Sequence, residues 1–145
     1  MVNTRSLYRL AAGVFVLFAA GHTLGFLGFK PPNAEALAVW NSMMNVRFPV
    51  GHASFSYGGF YVGFGLYVTA YLLFSAMLAW HLGALSGRSP EAIGILGWAL
   101  CGVQVASVVL SAMYFSLAPA LLSGILAVCL GWAALKVRAE SVSRA

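Results

Sequence analysis

The chain has 145 residues, room for one domain, with 61% hydrophobic and only 8% charged residues, where a soluble domain carries about 45–50% and about 25%. So little polar surface cannot wrap so much apolar surface in water, which excludes a water-soluble globule and leaves the bilayer as solvent. The net charge of +5 does not indicate nucleic acid, because the Lys and Arg residues stand at the margins of apolar runs, where they set membrane orientation.

Arg5 and Arg9 open the chain as a signal peptide would, and Ala19-Ala20-Gly21 resembles a cleavage site. The apolar run from Leu10 continues to Phe29, about 20 residues against the 7–15 of a signal core, so an uncleaved first span over about 7–29 is expected. Lys30-Pro31-Pro32 ends it, since proline cannot continue a helix. Asn33 then caps a short segment over 33–44 that places Leu37, Trp40, Met43 and Met44 near one face, a pattern suited to lying flat at the membrane surface. Phe48-Pro49-Val50-Gly51 is read as the turn back.

The run from Ala53 to Leu82 holds no Asp, Glu, Lys or Arg. As a helix it would reach about 45 Å, so a core span over about 57–80 is predicted, tilted or starting in the headgroup layer. Ser86–Glu91 forms a turn, with Pro90 suited to the start of the next helix. From Ala92 to Leu135 charge is again absent, and a single helix of about 66 Å would overshoot the bilayer twofold. Ser116-Leu117-Ala118-Pro119 is the place to fold back, giving spans over about 93–115 and 118–135, followed by a tail with Lys136, Arg138 and Arg144. Arg5, Arg9, Arg88, Lys136, Arg138 and Arg144 on one side against Lys30 and Arg47 on the other put both termini in the cytoplasm. The expectation is an all-α, polytopic four-helix bundle, up-down-up-down, a single transmembrane domain over 1–145 in a bacterial inner membrane.

Lipid offers helices no hydrophobic reason to associate, so small residues must let backbones approach. Gly21, Gly25 and Gly28, then Gly59, Gly63 and Ala70, then Ala120, Gly124, Ala127, Gly131 and Ala134 supply such stripes.

His22 is the ionisable residue deepest in a span, which makes it a functional candidate or a neutral bond to a neighbouring helix. Gln104, Ser107, Ser111 and Tyr114 recur at helical steps on the third span, and Tyr61 and Tyr67 pass similar depths on the second. His22, Tyr61, Tyr67, Gln104 and Ser107 are therefore the candidate ligand-binding layer. The aromatic second span, interleaved with glycines, suits a flat lipophilic molecule such as a quinone, lipid or isoprenoid. A bis-histidine haem through His22 and His52, or a metal held with Met43 or Met44, is the alternative; no spacing demands either, so no cofactor and no metal are expected. Cys101 and Cys129 stand singly, without a C-x-x-C. No Asp or Glu lies in a span, so carboxylate proton relays lack their groups and no catalytic residue is assigned.

Gly21-His22-Thr23-Leu24-Gly25 and Phe60-Tyr61-Val62-Gly63-Phe64-Gly65 resemble segments of a family of small bacterial four-span membrane proteins of uncharacterised function. That resemblance agrees with the architecture and implies no activity. Two functions follow as expectations: a binder or converter of a lipophilic molecule, with the segment Asn33 to Met44 as its lid, or a non-catalytic accessory subunit packed on a larger membrane complex or on its own copies.

Overall fold

The structure, a computed structural model, describes residues 3–142. Helix α1 (Thr4–Leu27) begins three residues ahead of the expected start. Asn3 explains this, because its Oδ1 accepts from the Ser6 amide at 2.7 Å and satisfies one of the bare donors of the first turn. Helix α2 (Ala34–Asn45) follows the prolines and is capped as expected: Asn33 Oδ1 accepts from the Ala36 amide at 2.8 Å, with Glu35 in the first turn. No residue of α2 is buried within the chain.

The predicted simple turn is instead a β-hairpin, β1 (Arg47–Val50) against β2 (Ala53–Ser56), with Arg47 opposite Ser56 and Val50 opposite Ala53. Gly51, at φ 61°, takes the first position of the two-residue loop Gly51-His52, where II′ hairpins favour glycine. Pro49 is tolerated because each strand of a two-stranded sheet is an edge. Arg47 Nη1 donates to Ser54 O at 3.1 Å across the pair.

Helix α3 (Tyr57–Leu85) is 29 residues long, about 44 Å, and Ser56 Oγ accepts from the Gly59 amide at its start. Pro90 does not open the next long helix. Pro90–Ile93 makes a 3₁₀ turn, Gly94 at φ 49° interrupts it, and α4 (Leu96–Tyr114) begins afterwards. The third apolar helix therefore starts three residues later than the pattern predicts. The chain breaks at Phe115-Ser116, so that of the expected fold-back over 116–119 only Ser116 is non-helical; Leu117, Ala118 and Pro119 open α5 (Leu117–Val142), which runs well past the predicted end at 135. Lys136 and Arg138, read as tail, are helical, consistent with their good helix propensity; Arg144 lies outside the described residues. Among the described residues, four helices (α1, α3, α4 and α5) are long and apolar enough to cross a membrane.

The chain's contacts group into two units. The first joins the residues up to Phe18 to those from Leu72 onwards. Its interior is aliphatic and small: Phe15, Leu72, Ala79, Leu82, Leu126, Leu130 and Ala133 are buried. The Tyr8 hydroxyl occupies the space that a side chain at Gly97 would need, and a Cβ at Gly83 would lie 3.3 Å from Arg5 O. A Cβ at Gly131 would lie 3.3 Å from Cys101 Sγ, which itself sits 3.4 Å from Ala127 O. Thr4 Oγ1 donates to Glu140 Oε1 at 2.7 Å, tying the start of α1 to the end of α5 and holding that extra helical length in place. Arg9 lies over the Trp80 ring, 4.6 Å from its centroid.

These approaches use only part of the expected small-residue stripes. Gly21, Gly25, Gly63 and Gly124 border open space. The second unit, Ala19–Tyr71, contains the late turns of α1, α2, the hairpin and the early turns of α3.

Candidate ligand cleft in the unit Ala19–Tyr71

Two polar contacts join the α1 and α3 segments of this unit. His22 Nε2 lies 3.0 Å from Gly65 O; a carbonyl only accepts, so Nε2 carries the hydrogen and, in the neutral ring, Nδ1 is left as an acceptor. Thr23 Oγ1 and Thr69 Oγ1 lie 2.8 Å apart, and each also has a backbone carbonyl of its own helix in reach, Ala19 O at 2.7 Å and Gly65 O at 3.2 Å, so either hydroxyl can be the donor across the pair. Gly65 permits this approach. A Cβ there would fall 2.7 Å from the Phe26 ring, so the missing side chain lets Phe26 and His22 both reach the α3 backbone.

From His22 a row of rings runs outward. His22 lies 5.1 Å from Phe26, Phe26 meets Tyr61 edge-on at 6.5 Å, Tyr61 meets Trp40 at 5.6 Å and 85°, and Trp40 lies 5.8 Å from Phe29. Such pairs add about 0.5–1.5 kcal/mol each beyond the area they cover. A second row stacks Phe48 on Tyr57 and Phe60, and Phe60 on Phe55 and Phe64. Helix α2 meets α3 at Gly58, where a side chain would strike Met44.

Beside Trp40 and Tyr61 lies an open cleft of about 510 Å³, walled further by Phe29, Val39 and Met43, with polar groups from Asn33, Glu35, Trp40 and Tyr61 among its lining side chains. A second cleft of about 420 Å³ lies along the same helix, bordered by Ser42, Val46 and Tyr57, and shares Val39 and Met43 with the first. Both volumes fall within the range of about 300–1,000 Å³ usual for small-molecule sites.

Of the residues predicted as one layer, His22 and Tyr61 are linked through Phe26. Tyr67 is 79% exposed. Gln104 and Ser107 belong to the other unit; Gln104 is wholly buried there, and Ser107 Oγ donates to Val103 O of its own helix at 2.9 Å. His52 sits in the hairpin loop and is exposed. Among the described residues, no three His, Cys, Asp or Glu side chains cluster around a common metal position. Phe26 and Phe29 had no role in the sequence pattern, whereas Gly65 and Thr69 stood on the aromatic second span without being assigned to the layer. Trp40 and Met43 were visible on the apolar face of a segment expected to lie at the membrane surface as a lid, and here they wall the cleft. Comparisons with protein-family models, curated proteins and solved structures returned no match.

Proposed function

We propose that this chain is a multi-pass protein of the bacterial cytoplasmic membrane that binds a lipophilic small molecule, such as a quinone, lipid or isoprenoid, in the cleft beside α2. The bundle runs up-down-up-down with both termini cytoplasmic. The Thr4–Glu140 bond, which joins the two ends of the helical chain, supports that topology. The cation count supports the orientation: Arg5, Arg9, Arg88, Lys136 and Arg138 fall inside, Lys30 and Arg47 outside. On this reading α2 and its cleft lie at the outer membrane boundary, where a molecule partitioned into lipid can enter sideways.

The observation that carries the reading is the cleft itself: aromatic and aliphatic walls of ligand size, with a few polar groups among them. His22 acts as a positioning residue. Its bond to Gly65 O holds Phe26, and through Phe26 the Tyr61 wall. Binding is the function these groups support.

Purification in mild detergent, followed by lipid extraction and mass spectrometry, tests this. The wild type should retain one lipophile near equimolar ratio, and Trp40→Ala should lower its retention about tenfold with helix content unchanged. Equal retention by the variant removes the cleft from the account. A stoichiometric protein partner with no retained lipophile supports the accessory-subunit reading in its place.

A further inference from the structure

We infer that the basic end of the first unit holds an anionic glycerophospholipid, its phosphate on Arg5 and Arg9 and an acyl chain along the seam of α1 and α3. Charge complementarity selects this partner. Five cations gather at that end: Arg5 and Arg9 on α1, Arg88 after α3, and Lys136 and Arg138 on α5. The Thr4–Glu140 bond joins the start of α1 to the end of α5. Gly83, whose missing side chain leaves room for Tyr8, Arg5 O and the Arg9 stem, sets the end of α3 against the same turns. Against the five cations stand Glu91 and Glu140, and Glu140 accepts from Thr4. Arg5 and Arg9, both exposed and four residues apart, repel one another, and an anion laid between them removes that repulsion.

The position of Arg9 makes this basic rim a lipid seat. Its guanidinium lies over the Trp80 ring, 4.6 Å from the centroid, held there by cation–π attraction. A guanidinium held by its face keeps its N–H edge for a phosphate. Trp80 is half-exposed on a membrane-length helix, so the pair stands where the helices meet lipid. Seven residues further into each helix, about 10.5 Å deeper, come Val16 on α1 and Leu73 on α3, both apolar and half-exposed. Between Arg9 and Val16 lies Gly13, where a Cβ would meet nothing within 4 Å. Two guanidiniums above an open, aliphatic-edged gap match a ligand with a charged head and an apolar tail. Free phosphate would use the rim alone, whereas a lipid uses both parts. On the orientation proposed above, this is the cytoplasmic leaflet.

The full-length protein in detergent micelles can be titrated separately with brominated phosphatidylglycerol and phosphatidylcholine of identical chains. Quenching of Trp80 is read as the difference between wild type and Trp80→Phe. Phosphatidylglycerol should half-quench at about fivefold lower mole fraction, the worth of one surface cation. Arg9→Gln should bring the two lipids within about twofold of each other. Arg138→Gln, the same loss of charge at the same end, should leave the preference in place. Gly13→Leu, which enters open space and keeps every charge, should raise the mole fraction needed of both lipids about threefold. Equal quenching by the two lipids in the wild type would overturn the site, and so would equal losses in Arg9→Gln and Arg138→Gln, the mark of a diffuse surface charge. Unchanged quenching in Gly13→Leu, or full displacement by glycerol phosphate, which carries the head without the tail, would overturn the lipid as its occupant.

Discussion

The two units of this chain solve the same problem, holding helices together in a solvent that gives them no hydrophobic push, by different means. In the unit built from the start of α1, the end of α3, α4 and α5, small residues bring backbones close, and aliphatic chains such as Leu126 and Leu130 are fully buried. In the unit Ala19–Tyr71, Ala19 is the buried apolar residue, and ring pairs such as Phe26–Tyr61 and Trp40–Tyr61 join its elements beside the His22–Gly65 bond. Aliphatic chains interdigitate to crystal-like density, while the ring pairs of the other unit border two open clefts. Buried aliphatic packing and open cleft space thus fall in different units of the chain.

The contrast is breakable by mutation. The largest effect is expected in the aliphatic unit: Leu126→Ala should cost about 2–4 kcal/mol, because its dense surroundings cannot collapse onto the hole, while Leu24→Ala, at a residue 75% exposed, should change little. Denaturant titration in mixed micelles, followed by circular dichroism, measures both. A similar loss at the two sites would erase the distinction. At Gly58 the expected cost is smaller, about 1–2 kcal/mol for Gly58→Ala, and Met44→Ala in the same chain should restore most of it by vacating the space the new methyl needs. Strict additivity of the two changes would show that Gly58 and Met44 do not touch. His22→Ala should cost about 0.6–2 kcal/mol, the usual worth of one polar bond between membrane helices. The loss should appear as faster hydrogen exchange confined to 19–71; loss spread through α4 and α5 would contradict the division into units.

The elements that were legible in advance rest on local chemistry. Charge-free runs marked the four long helices, Lys30-Pro31-Pro32 stopped the first, and Asn33 announced α2 before any partner was known. The missed boundaries have local causes of a subtler kind. Asn3 caps a helix whose first turn is polar, Gly94 adopts a positive φ that hydropathy does not register, and the Arg47–Ser56 hairpin carries no clean alternation because its residues are mostly exposed. At the candidate site, periodicity correctly grouped Gln104 with Ser107 on one helix, yet it could not place that helix in the same unit as His22 or turn Tyr67 inward.

Hydropathy and capping act within a few residues, so the order, length and membrane character of the helices were already contained in the amino-acid sequence. Which face of each helix meets a neighbour depends on rotation about its own axis, and that is settled by contacts between residues distant along the chain: Gly65 with Phe26, Thr4 with Glu140, Tyr61 with Trp40. The cleft beside α2 belongs wholly to this second class. Its walls come from Phe29, α2 and Tyr61 of α3, and it exists only once those segments have been set against one another.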